Sequence, residues 1–469
     1  MNVPTSLPAR ITPLLLALAA LGGCASGPDY RKPEVATPVS YKEAQGWKIA
    51  EPQDEAPHHN WWERYGDVQL NALVEQIRVS NQNIRAAEAQ HRQAIALLDA
   101  ARAGYYPTVT ASASVGRGRS GSSTAPVLAN RVALSASWEP DVWGRIGRTV
   151  EANQALVQAS AADLQAALLS TQSTLVQTYL QLRLNDAQRQ LLDQTSVAFQ
   201  RSLDITRNRF NAGVAGRLDV AQAETQLKTT QAQQIDLGVQ RTQLEHAIAL
   251  LVGQAPADFT LAPTYALPAL PEIPIVIPSV LLERRPDVAA AERRTAAANA
   301  QIGIAQAAFF PSLTLSATGG FQSSSLTQLF ALPNRFWSIG PALAATLFDA
   351  GARSAAKNQA IAAYDQTVAE YRQTVLAAFQ DVEDNLSALR VLGQESVVQH
   401  EAAQLARESL ELTNNQYQAG TISYLNVVTA QVTALNADLT TLNVAGRRLL
   451  ASTALLKSLG GDWAPMPQK

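Results

Sequence analysis

Cysteine occurs once in the 469 residues, at Cys24, and methionine twice, at Met1 and Met466. No intramolecular disulfide is therefore possible, and no ladder of soft sulfur ligands is available to favour copper or silver. Of the five histidines, His58 and His59 adjoin, while His91, His246 and His400 are scattered without ligand spacing. A solvated pair explains His58 and His59 better than a metal site does. Charge is also scarce. Only 16% of residues are charged and the formal net charge is −2, so there is no basic surplus to attract nucleic acid. No glycine-rich phosphate loop, nucleophile elbow or paired-carboxylate motif stands out, and enzymatic activity is not expected. Near the N-terminus the apolar run from Ile11 to Leu21 is too short for a membrane span, which needs about 20 residues, and reads as the core of an export signal.

What the chain does have is a copy of itself. Ser202-Leu203-Asp204-Ile205-Thr206-Arg207-Asn208-Arg209-Phe210-Asn211-Ala212-Gly213 returns as Ser409-Leu410-Glu411-Leu412-Thr413-Asn414-Asn415-Gln416-Tyr417-Gln418-Ala419-Gly420, 207 positions on (420 − 213). Tyr105-Tyr106-Pro107 returns as Phe309-Phe310-Pro311 at an offset of 204 (311 − 107), and Gly253 as Gly460 at 207 (460 − 253). An offset that drifts so little over most of the chain marks a duplicated unit, far too long for a solenoid repeat. The predicted organisation is a leader over 1–23, a tether over 24–65, a first repeat over 66–253, a proline-rich linker over 254–280, a second repeat over 281–460 and a tail over 461–469.

Within each repeat the hydrophobic period changes. From Asp67, apolar residues at mixed threes and fours, among them Leu70, Leu73, Val74, Ile77, Ile84 and Ile95, predict one helix ending at Gly104. The period then becomes two: Val109, Ala111, Ala113 and Val115 alternate with Thr108, Thr110, Ser112 and Ser114. Val132, Leu134, Ala136 and Trp138 form a second such run, across a loop predicted over 116–130. The second repeat offers Leu313, Leu315 and Ala317, a loop predicted over 321–334, then Ile339, Leu343, Ala345 and Leu347. Trp138, Trp143, Phe309, Phe310, Phe336 and Trp337 lie near the predicted strand ends, as an interfacial girdle requires; a small soluble sheet is the bland alternative. Long helices follow over 145–211 and 352–418. At 1.5 Å per residue each reaches about 100 Å. Ala212-Gly213 and Ala419-Gly420 close them, and returning helices over 218–251 and 425–459 complete coiled-coil-like hairpins.

Four strands cannot close a membrane barrel, since the smallest such barrels have about 8 and open edges are not tolerated in lipid. If the strands span a membrane, the chain must oligomerise, and three copies supply an even set of twelve. Leu21-Gly22-Gly23-Cys24 resembles the lipobox of bacterial lipoproteins, in which the cysteine sulfur carries a diacylglycerol. Ala25 follows where aspartate would favour inner-membrane retention in that class.

The segments Arg284-Arg285-Pro286-Asp287-Val288-Ala289-Ala290-Ala291-Glu292-Arg293-Arg294, Ala298-Asn299-Ala300-Gln301-Ile302-Gly303 and Ala307-Ala308-Phe309-Phe310-Pro311-Ser312-Leu313 resemble the outer-membrane factor family. Within it the chain looks like the NodT-type lipoprotein branch. The resemblance covers essentially all of the mature chain. It implies an α+β membrane protein: a homotrimeric, 12-stranded outer-membrane β-barrel, four strands per chain, continued by a long periplasmic α-helical barrel of coiled-coil hairpins. It also implies a passive conduit in a tripartite efflux system, joined through a periplasmic adaptor to an inner-membrane transporter of the RND type. Protein secretion or heavy-metal efflux shares this architecture, and a non-conducting coiled-coil lipoprotein is the alternative from another class. No cofactor is implied beyond the lipid on Cys24.

In that family the constriction lies just after the second glycine tip, which here means 421–431. Leu425 occupies a gate position, and Thr429 falls where several relatives carry a ring-forming aspartate, so three hydroxyls replace an acidic ring. Leu218, Asp219 and Gln222 hold the equivalent first-repeat places, and the tips at Gly213 and Gly420 are candidate adaptor contacts. Plain coiled-coil packing is the alternative for Leu218 and Leu425, a helix N-terminal charge for Asp219. For Arg284 to Asp287, a salt-bridged helix start with Pro286 in the first turn is favoured over an anion site.

Overall fold

The computed structural model describes residues 26–44, 60–118, 127–273 and 284–461. The leader, Cys24, His58, His59 and most of the tail lie outside them, as do Pro274 and Pro278 of the linker. Helix α1 (Val68–Ser80) and α2 (Gln82–Ala103) precede strands β1 (Thr108–Gly118) and β2 (Val127–Trp138). Helices α3 (Arg145–Asn211) and α4 (Arg217–Leu251) follow. The second repeat gives α5 (Pro286–Ala307), β3 (Ser312–Ser323), β4 (Arg335–Ala344), α6 (Ala352–Gln418) and α7 (Tyr424–Ser458). The duplication is kept in length: α2 and α5 each have 22 residues, α3 and α6 each 67, α4 and α7 each 35.

Two compact units result, described separately. The first holds the sheet with the described parts of 26–34, 90–161 and 290–372; the second holds the described parts of 35–89, 162–289 and 373–461. In the first unit β1, β2, β3 and β4 form one antiparallel sheet in chain order. The pairings Ala111↔Leu134, Leu134↔Gly319, Ala136↔Ala317 and Ala317↔Ile339 place the apolar positions of all four strands on one face. Pairings such as Thr110↔Ser135, Ser135↔Thr318 and Thr318↔Ser338 gather the hydroxyls on the other. With a side-chain period of 2, a slip of one residue at any ladder would break this sorting. Many of the large apolar side chains on that face are bare: Val109, Val115, Leu134, Trp337, Ile339 and Leu343 are each more than 60% exposed.

Aromatics gather at both ends of the strands. At one end Trp143 stacks on Phe310 with ring centroids 4.8 Å apart, and its indole donates to the Pro311 carbonyl at 2.6 Å. At the other, Phe321 meets Phe330 edge-on at 5.6 Å, and the Arg131 guanidinium lies 4.5 Å from the Phe336 ring. The N-terminal segment docks on this unit: Ser26 donates to the Trp143 carbonyl at 2.8 Å, and the Arg148 guanidinium donates to Asp29 at 2.9 Å.

Three expectations need correction. The helix predicted from Asp67 to Gly104 is broken at Asn81, whose side chain accepts from the Asn83 and Ile84 amides at 2.9 and 3.1 Å and donates to the Leu251 carbonyl. Such a side chain caps a new helix start rather than continuing the old one. The strands run further into the loops than predicted, to Gly118 and Ser323 and from Val127. Ala345 and Leu347 fall outside β4 because pairing ends where Ala344 meets Ser312, the first residue of β3.

In the second unit α1 buries Leu70, Leu73, Val74 and Ile77, as its period requires. Asp67 caps it, accepting from the Gln69 and Leu70 amides at 2.9 and 3.1 Å. Buried Asp186 pairs with Arg183 at 3.3 Å and Arg241 at 2.8 Å. The same arginines hold the Ala262 and Leu261 carbonyls, so the proline-rich linker is pinned by a shared buried network. Arg285 bridges Asp287 at 2.7 Å and Asp381 at 3.0 Å, the salt-bridged helix start expected at the Arg-Arg-Pro-Asp segment. Tyr41 is buried, and the Glu383 carboxylate accepts from the Lys42 and Glu43 amides at 2.7 and 2.9 Å, which docks the tether.

The sorted sheet generates a prediction for bilayer-reconstituted protein. Leu134→Arg puts a charge on the apolar face and costs about 2–4 kcal/mol near the bilayer midplane, whereas Ser112→Arg joins the face that already carries Arg131 and is tolerated. Urea unfolding in lipid vesicles measures both.

Candidate functional site at the helical tips

Both hairpin tips close by the same backbone device. Gly213 and Gly420 take positive φ, +73° and +79°, a conformation that costs glycine nothing and an L-residue with a side chain much more. The Val214 amide returns to the Arg209 carbonyl at 2.8 Å, and the Thr421 amide to the Gln416 carbonyl at 3.1 Å. Beneath the tips, Phe199, Leu203, Val220, Ala223, Leu227, Tyr417, Tyr424 and Val427 form one core that joins α3, α4, α6 and α7.

The candidate aperture residues sit at the heads of α4 and α7. Leu218 is 69% and Leu425 56% exposed, so neither is packed into the core of its own chain. Asp219 occupies the first turn of α4 and accepts from the Gly216 amide at 3.3 Å, the helix-start role that competes with an aperture charge. Gln222 is half-buried with its Oε1 unpartnered among the described atoms. Thr429 is exposed, and its hydroxyl donates back to the Leu425 carbonyl at 3.0 Å.

The repeats diverge most in what ties the tips together. Arg209, at the end of α3, donates to the Tyr417 and Gln418 carbonyls at 3.2 and 3.1 Å and lies 4.7 Å from the Tyr417 ring centroid. A cation is favourable at these unpaired carbonyls because the C-terminus of α6 carries the negative end of its dipole. Its counterpart 207 positions on is Gln416, so the clamp runs one way only. Tyr424, whose counterpart is Arg217, meets Tyr417 edge-on at 5.2 Å, and its hydroxyl lies 3.0 Å from Ser202 Oγ. Burial pushes that hydroxyl up from its usual range, so it stays protonated. The first-repeat hairpin is instead tied by Arg207 to Glu224 at 2.7 Å, with Arg217 at 3.9 Å. The hydrogen bond from Arg207 holds the Glu224 carboxyl below the usual carboxylate range; desolvation opposes this, and the charges of Arg207, Arg217 and Lys228 reinforce it. Reading the chain alone missed the Arg209 clamp. The substitution pattern between the repeats, Arg209 against Gln416 and Tyr424 against Arg217, was the available signal.

The family model described as outer membrane efflux protein matches residues 73–254 and 277–461, one segment for each repeat. The chain belongs to the outer membrane efflux protein family. Among the curated members similar to it, the solvent efflux pump outer membrane protein SrpC of Pseudomonas putida is 31% identical, with 96% of this chain and 98% of that protein covered. The pyoverdine export outer membrane protein OpmQ of Pseudomonas aeruginosa is 30% identical over 96% of each. Among solved structures, the outer-membrane channel OprN matches with a TM-score of 0.88 at 32% identity, over 93% of this chain and 99% of that one. This efflux protein is accordingly an outer-membrane channel component of an efflux system, located in the outer membrane. No helix among its described residues is long and apolar enough to cross a membrane.

Two predictions concern the tips. Arg209→Ala removes both carbonyl contacts and the ring contact, and costs about 1–3 kcal/mol of local stability; faster proteolytic nicking near Gly420 is expected, with Arg209→Lys intermediate. Because the Glu224 carboxyl is depressed in the fold, its contribution is present above the unfolded carboxylate value and lost as pH falls through the folded one. Acidification should thus raise nicking near Gly213, and Glu224→Gln should show the raised rate already at neutral pH and lose most of the acid response.

Proposed function

We propose that three copies of this chain close a twelve-stranded barrel and form a passive exit duct, narrowed at its periplasmic end near Leu218 and Leu425. The observation that carries this reading is a single sheet with one continuous apolar face and two edges, β1 and β4, each paired on one side only among the described residues. In hydrocarbon each unpaired backbone group costs several kcal/mol. Partner copies are the simplest source of the missing pairings. The narrowing is supported by two exposed leucines at matched places, at the heads of helices that each bury one face in the core beneath the tips. A ring of such residues narrows a pore by dewetting.

A duct without catalytic machinery takes its direction from elsewhere. We assign the driving force to an inner-membrane transporter of the RND type reached through a periplasmic adaptor, with the tips around Gly213 and Gly420 as the contact. Relatives named for solvent and for pyoverdine support small molecules as cargo. Cys24 carries the lipid, and the docked segment from Ser26 to Asp29 suits a chain held close to the membrane.

The test is single-channel recording from purified oligomer in planar bilayers. Rare, small openings in the wild type that become frequent in Leu425→Ser support an aperture at this level. Absence of current from intact trimers of both proteins leaves a structural coiled-coil lipoprotein.

A further inference from the structure

The charge on the sheet is of one sign. From Pro107 to Trp138 and from Pro311 to Phe348 the sequence carries four arginines, Arg117, Arg119, Arg131 and Arg335, and no lysine, histidine, aspartate or glutamate. Arg119 lies outside the described residues. The other three sit toward the strand ends that the β1–β2 and β3–β4 connections join, are exposed, and have no carboxylate partner among the described residues. At the Trp143 end the charges are already matched. Arg145 pairs with Glu139 at 2.8 Å, Arg353 pairs with Asp349, and Asp141 accepts from the Ile146 and Gly147 amides at 2.8 and 2.6 Å. Helices α2, α3, α5 and α6 all join the strands at this end and extend into the periplasm. The unmatched arginines therefore mark the outward end.

Side-chain alternation then sorts them. Arg117 continues the series Val109, Ala111, Ala113 and Val115, and Arg335 continues Leu343, Ile339 and Trp337, so both belong to the apolar face. Their ladder partners Leu128 and Phe321 lie on that face too. Arg131 is different: it pairs with Ser114 and Gln322 on the hydroxyl face, and its guanidinium rests on the Phe336 ring. Arg117 and Arg335 each stand nine steps from the far end of their strand (117 − 108 and 344 − 335). At about 3.3 Å per residue and a tilt near 40°, nine steps rise roughly 23 Å, close to the ~25 Å height of an outer-membrane apolar band. Both cations thus reach the outward boundary between lipid and water. Apolar groups adjoin them. Val115 and Trp337, one place inward on the same face, are 69% and 74% exposed, and on the loop after β3 the exposed Phe330 meets Phe321 edge-on.

We propose, resting on the barrel reading above, that Arg117 and Arg335 hold the phosphate groups of lipid in the outward leaflet, the fitting partner being a glycolipid with phosphate on its sugar head group. A guanidinium fork matches two phosphate oxygens, and the exposed apolar side chains beside it suit acyl chains. The face decides between lipid and cargo as the source of the anion: an anion inside the barrel would meet Arg131, whereas Arg117 and Arg335 are turned away from it. The sheet is thereby fastened to the outward leaflet, opposite the end where Ser26 docks on Trp143.

The experiment is native mass spectrometry of the detergent-extracted, lipidated full chain, titrated with diphosphorylated lipid A and with the same lipid after enzymatic dephosphorylation. The phosphorylated form should bind several-fold more tightly, and an excess of inorganic phosphate should not displace it. Joint replacement Arg117→Gln and Arg335→Gln should weaken it by about ten-fold or more, since one hydrogen bond to a charged group is worth roughly that factor. Arg131→Gln should leave it unchanged. Equal binding of both lipids, an unaffected double variant, or a matching loss in Arg131→Gln overturns the proposal. Displacement by inorganic phosphate also overturns it, because it marks a site for free anions. Single-channel recording in phosphatidylcholine bilayers separates this proposal from the reading beneath it. Conducting trimers with no preference for phosphate remove the proposal alone, whereas intact trimers that carry no current, Leu425→Ser included, defeat the barrel reading and the proposal with it.

Discussion

An unpaired backbone amide or carbonyl in hydrocarbon has no water to turn to, and this constraint organises much of the chain. Four strands satisfy one another at three ladders and leave two edges. A soluble protein can blunt an edge with charge or a covering loop; a strand in lipid cannot. The remedy is more strands, and the duplication supplies half of it: β2 pairs with β3, so the two repeats meet inside one sheet instead of forming two hairpins. Further copies supply the rest. Once the edges demand an oligomer, each helical hairpin attached to the sheet is multiplied as well, and a ring of helices follows from the ring of strands.

Duplication also explains where the chain is free to change. Paired elements keep their lengths, because a lost turn in α6 but not α3 would misplace one tip relative to the other. Side chains carry no such obligation. The divergence falls at the heads of α4 and α7, where an exposed ion triad on one repeat faces an aromatic pair and a serine contact on the other. Charged surface pairs are weak and screened by salt, while Tyr417 and Tyr424 are buried. The tip therefore has one hairpin closed by replaceable electrostatics and one by packing. Arg209 joins them through the end of α6, and several polar atoms close by, Tyr417 Oη, Gln431 Oε1 and Gln222 Oε1, lack partners among the described atoms. Such under-satisfied groups cost about 1–3 kcal/mol each. A region built this way opens at lower free energy than an aliphatic core.

Much of this was legible in the residues. The change of period from three-and-four to two marked the strands, and the 207-residue echo marked the paired helices and both glycine tips, because backbone geometry is dictated locally. The break at Asn81 was not legible, since the apolar period continues through it and only the contact with Leu251 reveals a cap. The ends of β3 and β4 were blurred for a related reason: Ala345 and Leu347 keep the alternation but have no strand to pair with. The aperture candidates were found by resemblance alone. The structure brings Leu218 and Leu425 to matching exposed places and gives Asp219 a capping bond; for Arg209 the sequence carried only its contrast with Gln416, and its role was missed because its partners lie more than 200 positions away.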